Sequence, residues 1–458
     1  MDAFQGEGIF WLPGHEDDKV AGRITFDPKD GATLELIGRF DYFSERSGQF
    51  VRIVGVAARK VLTLDRCFRR TSGFEAPGVE RETYRVNRIL AGAHYDDDEE
   101  FIFDQVVFSF DHLLNWMEAS LLTVDYQESK VRGRVDKVTA TLEGFSKEEA
   151  TFPDGRLCLG TSWQTDGDLI NEATLRQSAY LQITYSTPQS LGAILNHVGA
   201  LQDLITLTTD SPATPLYISM SPAAGHGANM DERVRVDFYA GQSSRRAPSS
   251  PAASDMLLTL QQVGGTQALA GWLGVAHRYG RVLGSLMAIR YSTFMYMENR
   301  FGNAINAAES FHRLRFSNAL RPSADFKKYR QRIVDAVPEE DREWLKAQLQ
   351  FSNEPRLRHR IEEMIEFSAS GFAQVVEDAD AWARLVVQVR NRLTHEDKRR
   401  PLKVNPGDLH YLSESVYLLV MLCLLSDTGV SPRMLTSLAQ SPSILFLRDK
   451  IRGIVTPG

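Results

Sequence analysis

Ala240-Gly241-Gln242-Ser243-Ser244-Arg245-Arg246-Ala247-Pro248-Ser249-Ser250-Pro251-Ala252-Ala253-Ser254-Asp255 divides this chain into two unlike parts. Twelve of these sixteen residues are Ala, Gly, Ser or Pro, a composition with no large apolar side chain to bury, so 241–255 reads as a linker. Before it, β-branched or alternating runs recur between turn residues: Gly22–Phe26, Thr33–Ile37, Phe101–Phe110, Lys137–Leu142, Tyr180–Tyr185, Tyr217–Met220 and Arg233–Tyr239. Residues 1–240 therefore read as a β-rich domain. One exception runs from Ser190 to Leu207, where Leu191, Ile194, Leu195, Val198, Leu201, Leu204 and Ile205 follow helical spacing and predict a helix packed on the sheet. After the linker, residues 256–458 turn helical: Trp272, Val275, Tyr279, Leu283 and Leu286 recur at helical spacing, then Ile305, Ala308, Phe311 and His312. The expected fold class is α+β, a β-rich N-terminal domain followed by an all-α helical bundle.

Charge separates the same two parts. The net −7 of the 458 residues is −12 over 1–254 (25 Lys and Arg against 37 Asp and Glu) and +5 over 255–458 (27 against 22). A basic helical half allows a phosphate-binding face that the whole-chain charge would argue against. With 43% hydrophobic and 10% aromatic residues, packed cores are expected. Cys67, Cys158 and Cys423 are widely separated and form no C-x-x-C pair, so neither a disulfide framework nor a zinc site is indicated, and no cofactor is expected. The apolar run Val416–Leu425 is shorter than the roughly 18–20 residues a bilayer demands, and Met1-Asp2-Ala3 lacks a signal peptide's regions. The expectation is a soluble, cytoplasmic chain without a membrane partner.

One segment carries chemistry. Trp382, Leu385, Val386, Val389 and Leu393 form an apolar stripe at i, i+3, i+4, i+7 and i+11, which predicts an amphipathic helix ending before Pro401. On it lies Arg390-Asn391-Arg392-Leu393-Thr394-His395, an R-N-x-x-x-H pattern with Arg390, Asn391 and His395 off the stripe. With 10 His and 40 Arg, an Arg five positions before some His is expected about once by chance. Requiring the Asn lowers that to a few hundredths. From Arg384 to Lys403, seven cations (Arg384, Arg390, Arg392, Lys398, Arg399, Arg400, Lys403) face two acids (Glu396, Asp397), a net +5 that reads as a phosphate track. Lys398, Arg399 and Arg400 alone would read equally well as a solvated helix end. A last helix, roughly Asp408 to Asp427 before Gly429, is apolar nearly all round and reads as the bundle's central or dimer-facing helix.

The motif resembles the catalytic signature of the HEPN ribonucleases, an Arg, a polar residue and a His four to six positions beyond the Arg. The opening Gly8-Ile9-Phe10-Trp11-Leu12-Pro13, with Gly22-Arg23-Ile24-Thr25-Phe26-Asp27 and Thr33-Leu34-Glu35-Leu36-Ile37-Gly38, is similar to the N-terminal domain of ApeA-like abortive-infection proteins. Arg300-Phe301 through Ala308-Glu309-Ser310-Phe311-His312 looks like the family's earlier helix, in which an acidic residue faces the core or the site; Glu309 is assigned no catalytic role. The resemblance implies an anti-phage effector that cleaves cellular RNA, tRNA being the leading target, at a composite site between two HEPN protomers. An N-terminal domain that senses infection, through a phage protein for example, goes with it.

The residue types suit that chemistry. Metal-independent RNA cleavage needs a base for the ribose 2′-hydroxyl, an acid for the leaving 5′-oxygen, and positive charge on the phosphate. His395 can take either proton-transfer role near neutrality, Arg390 offers a planar guanidinium fork, and Asn391, four residues before His395, can hold the imidazole or the substrate. Arg392, Lys398, Arg399 and Arg400 are the candidate RNA-binding cations. Arg390 and His395 stand about 140° and roughly 7.5 Å apart on an ideal helix, so one protomer's pair converges poorly and a facing protomer is expected to complete the site. A homodimer or higher homo-oligomer through the helical domain follows. The alternative is a non-catalytic HEPN module that binds RNA or a protein partner. Arg88 and His94 also span an Arg-to-His spacing, but Ile89 follows the Arg and Asp96-Asp97-Asp98-Glu99-Glu100 would repel phosphate; that acidic run reads as a solvated loop rather than a Mg²⁺ site. No P-loop, nucleophile elbow or H-E-x-x-H pattern occurs.

Overall fold

The computed structural model describes the chain except for residues 41–49, 75–79, 119, 132, 144–146, 169, 224–234, 242–249, 369–370, 396–403 and 457–458, and except for the side chains of 72–74 and 395. It forms two compact units, one of Met1–Gln261 with Gly265–Leu273, the other of Gln262–Gly264 with Gly274–Gly458.

The first unit is built on strands β1 (Phe4–Trp11), β2 (Val20–Asp27), β3 (Gly31–Ile37), β4 (Val51–Ala57), β5 (Lys60–Phe74), β6 (Glu80–Ala91), β7 (Ile102–Phe110), β8 (Leu122–Glu128), β9 (Val135–Leu142), β10 (Lys147–Phe152), β11 (Gly155–Asp166), β12 (Thr174–Ser190), β13 (Pro215–Pro222) and β14 (Val236–Ala240). Twelve of them form one sheet in the order β10-β11-β12-β7-β13-β14-β6-β3-β2-β1-β4-β5, and β5 pairs back onto β6. That last pairing closes β6-β3-β2-β1-β4-β5 into an antiparallel six-stranded barrel. One edge of β6 is shared between β3 (at 81–86) and β14 (at 88–91), while β5 lines the other. The barrel thus branches into the open sheet at β6.

Alternation explains the barrel. Val20, Gly22, Ile24 and Phe26 of β2 face inward and the residues between them outward. Phe10, Ile24, Phe26, Leu34, Leu36, Ile53, Leu64 and Tyr84 fill the interior. Gly55 lies under the Phe10 ring, where a Cβ would stand 2.4 Å from Phe10 Cδ1, so only glycine lets β4 approach β1 there. On the open sheet, α1 (Leu113–Met117) packs on β12, and α2 (Leu191–Thr209) on β7 and β12 through its apolar face, as its spacing predicted. Ser190 Oγ caps α2 by accepting from the Ala193 N–H at 3.3 Å.

The stretch read as a linker is tied down where it is described. Ser250 Oγ lies 3.0 Å from His112 Nδ1 and donates to the Asp111 carbonyl, and Asn115 Nδ2 donates to the Pro251 carbonyl at 3.0 Å. Beyond it, Trp116 Nε1 donates to the Leu258 carbonyl (2.9 Å) and Trp272 Nε1 to the Ala200 carbonyl (2.6 Å). Small polar groups and carbonyls make these attachments, which an argument from missing apolar bulk does not detect. The first unit therefore runs on past 255, and Gly264 and Gly265, with φ of 117° and 67°, turn the chain between α3 (Leu260–Val263) and α4 (Gly265–Arg278).

The second unit holds α5 (Gly280–Tyr291), α6 (Met297–Arg315), α7 (Ser323–Asp335), α8 (Glu339–Gln348), α9 (Leu357–Phe367), α10 (Ala379–His395), α11 (Pro406–Thr428), α12 (Pro432–Ser437) and α13 (Pro442–Val455). The centre is α11, buried continuously from Ser415 to Leu425 and packed by α6, α9 and α13. Asn405 Oδ1 accepts from the Asp408 N–H at 2.9 Å to start it, and Gly429, at φ 94°, ends it. Among the described residues α11 alone has the length and apolar content to cross a membrane, but 78% of its most apolar stretch is buried inside this unit, as a core helix requires. Glu414, a carboxylate of α11 turned into the bundle, takes Arg290 at 2.7 Å and Arg300 at 2.9 Å, from α5 and α6. Burial alone would raise the Glu414 pKa; the two guanidinium groups outweigh it and hold the carboxyl down at about 2.

Candidate functional site

The site begins with how α10 is seated. Trp382, Val386 and Val389 are buried, and Trp382 Nε1 donates to Ser415 Oγ of α11 at 2.9 Å. This anchors the apolar stripe inward and leaves the opposite face of the last turns open. Asn391 and Thr394 are exposed there, and the Arg390 side chain retains 35% of its accessible surface.

Arg390, Arg392, Leu393 and Thr394 form one wall of an open cleft of about 810 Å³. The facing wall is the first half of α6, with Glu298, Asn299, Gly302 and Asn306. Gly302 and Asn306 lie in the segment that resembles the family's earlier helix, but no spacing marked any of these four as facing α10; the packing of α6 beside α10 brings them there. Arg390 Nη2 lies 3.6 Å from Glu309 Oε1 and its Nη1 donates to Asn391 Oδ1 at 3.3 Å. An ion pair of that length between partly solvated groups is weak, so a phosphate can take the guanidinium without breaking a strong bond. Glu309, on the helix that resembles the family's earlier one, thus lies beside Arg390.

The remaining predicted residues fall differently. Arg392 lines the cleft, and its buried Nη1 has no hydrogen-bond partner among the described residues. His395 is the final residue of α10, but its side chain lies outside the described residues. Lys398, Arg399, Arg400 and Lys403 lie outside them altogether. Arg390 therefore lines the cleft and holds Asn391, which is outside the cleft lining, by a hydrogen bond, with the His395 backbone one turn further on. The competing Arg88 and His94 serve the barrel: Arg88 stands 3.7 Å from Asp65, and His94 Nε2 is 3.0 Å from the Gly55 carbonyl. Among the described residues no three His, Cys, Asp or Glu side chains gather as metal ligands do. Cys67, Cys158 and Cys423 are buried free thiols.

The helical bundle carries Arg390 at an open cleft on the helix that ends in His395, and the Apea-like HEPN model matches residues 303–433. The model of ApeA N-terminal domain 1 matches residues 7–272, more than half of the chain, so this chain belongs to the ApeA-like family with a C-terminal HEPN domain. The two domains together support an abortive-infection effector of the HEPN type. No curated protein and no solved structure matches the chain.

Proposed function

We propose that this protein is a metal-independent endoribonuclease of anti-phage defence, whose N-terminal domain senses infection and whose helical domain cuts cellular RNA, tRNA being the leading target. The observation that carries the reading is the Arg390 guanidinium at the lip of an open cleft, only weakly engaged by Glu309 at 3.6 Å, on the helix that ends in His395. Arg390 binds the scissile phosphate and offsets charge as phosphorus becomes pentacoordinate. The imidazole of His395 removes the 2′-hydroxyl proton or protonates the departing 5′-oxygen, and Asn391 positions the imidazole or the substrate. The 2′-oxygen bonds to phosphorus as the 5′-oxygen leaves, giving a 2′,3′-cyclic phosphate and a 5′-hydroxyl.

One protomer holds a single His of this set, whereas the reaction needs both a base and an acid. A homodimer through the helical domains, with two motif helices facing, supplies a second His and Arg to the same phosphate. Arg392 and the cations Lys398, Arg399 and Arg400 extend the positive surface along the strand, and the chain acts in the cytoplasm where its RNA is. Sequencing of cellular RNA after expression of wild type and His395→Ala, with and without phage, tests the proposal. New cuts in wild type after infection, absent from the variant, are expected; identical RNA in both would leave a non-catalytic binding module as the better reading.

A further inference from the structure

The segment Ser292-Thr293-Phe294-Met295-Tyr296 joins α5 to α6, and Tyr296 is the capping residue from which α6 starts. It is an ordered loop. Ser292 Oγ donates to the Phe294 carbonyl at 2.7 Å, Asn303 Nδ2 reaches Met295 Sδ at 3.6 Å, and the Arg300 N–H donates to the Tyr296 carbonyl at 2.9 Å. With Tyr296 extended (φ −59°, ψ 145°), neighbouring side chains alternate sides. Met295 is drawn toward α6, whereas Phe294 and Tyr296 remain 72% and 65% exposed. Their rings meet edge to face at 5.1 Å and 80°.

Single exposed aromatics are common on protein surfaces. Two that touch each other, on a loop fixed by three hydrogen bonds, two residues before the cleft-lining Glu298, are less so. The two rings offer largely exposed faces and edges, and the cleft whose wall begins two residues further on, at Glu298, carries Arg390 and Arg392. Exposed aromatic faces next to guanidinium groups are the chemistry that recognises unpaired nucleotides, because every base has a face to stack while the phosphates follow the cations. We propose that Phe294 and Tyr296 form a stacking platform for bases of single-stranded RNA flanking the scissile phosphate, which selects loops and unpaired segments over duplex. The inference rests on the proposed ribonuclease reading and deepens it by naming the substrate class: unpaired RNA.

Binding and cleavage, measured separately, test it in the full-length protein. Affinity for a fluorescently labelled, unstructured single-stranded RNA is read in a His395→Ala background, so that binding is seen without turnover, and cleavage of the same RNA is read in the otherwise wild-type chain. Phe294→Ala with Tyr296→Ala is expected to weaken binding on the order of tenfold, with the loss in KM rather than in kcat. Phe294→Tyr with Tyr296→Phe is expected to retain affinity, Phe294→Leu with Tyr296→Leu to lose it, and oligomeric state by light scattering to stay the same in all. Equal affinity in the alanine and unsubstituted proteins overturns the platform, and so does leucine restoring what alanine loses. Dissociation of the oligomer in step with the loss overturns it too, by making the pair a protein contact. A chain that binds RNA through these rings without cutting it would sink the ribonuclease reading and keep the platform; a chain that cuts normally without them does the reverse.

Discussion

At the scale of residues, the proposed chemistry and the internal charges make separate demands. Arg390→Ala and His395→Ala are each expected to abolish RNA cleavage and growth arrest, with circular dichroism and melting temperature near wild type, because neither belongs to the buried stripe of α10. Asn391→Ala is expected to impair less. Wild-type products at the wild-type rate from His395→Ala would remove His395 from the mechanism. Glu414 is the opposite kind of residue, a largely buried carboxylate, its side chain 17% exposed, between Arg290 and Arg300. Glu414→Gln leaves two guanidinium groups facing each other without a counter-charge, and a loss of about 3–5 kcal/mol in denaturant unfolding is expected. The pH dependence follows from the depressed pKa. Held at about 2 when folded and near 4.5 otherwise, Glu414 stabilises the bundle fully above pH 4.5, and that stabilisation is lost as pH falls from there toward 2. Wild type should lose stability across that window more steeply than Glu414→Gln.

At the scale of elements, the β4–β5 hairpin turns through Ala58 and Arg59, both with positive φ, 51° and 62°. A two-residue turn of this type favours Asn and Gly, since an L side chain there brings its Cβ against the neighbouring carbonyl. Arg59→Gly is expected to raise stability by about 0.5–1 kcal/mol, seen as a higher melting temperature; an unchanged or lower value would mean that the Arg59 side chain contributes more than its backbone strain costs. The same view explains which strands the sequence displays. β2 and β3 alternate cleanly and are legible, whereas β6, Glu80–Ala91, carries Glu82 on the inward side. Only the fold shows that Arg69 at 3.1 Å and the Tyr84 hydroxyl at 2.6 Å satisfy that carboxylate. The long strand β5 hides for a related reason, its run Asp65-Arg66-Cys67-Phe68-Arg69-Arg70 being too charged to read as part of a barrel wall.

At the scale of the whole molecule, the proposed mechanism uses the 2′-hydroxyl and no metal. Cleavage in EDTA with 2′,3′-cyclic phosphate or 3′-phosphate ends, and no attack on DNA, is therefore expected from mass spectrometry of the products; strict Mg²⁺ dependence with 3′-hydroxyl ends would point to metal-assisted chemistry instead. The division of the chain leads to a second expectation. Since Leu258 and Trp272 are fastened into the first unit, a helical fragment that starts at Asp255 exposes apolar residues which one starting at Gly274 omits. The shorter fragment is expected to be the more soluble on expression. If the N-terminal half is the sensor, neither fragment should respond to phage, whether constitutively toxic or inert. A fragment quiet before infection and active after it would locate sensing in the helical domain.

The amino-acid sequence by itself determined the α+β division, the helical stripe of α10, the Arg390-Asn391-His395 motif upon it and the central helix α11. Each of these rests on local periodicity or on a short spacing, which a linear chain displays directly. The closure of the barrel through β5 and β6, the attachment of 250–261 and 265–273 to the first unit, and the cleft wall of Glu298, Asn299, Gly302 and Asn306 were decided by tertiary structure alone. They depend on which surfaces meet across long separations in the chain: the approach of Glu309 to Arg390 spans 81 positions, and no spacing rule encodes it. Packing of α6 beside α10 brings the two together, and that packing follows from burying apolar faces on α11, whose side chains say what must be covered but not which polar groups will be neighbours once it is.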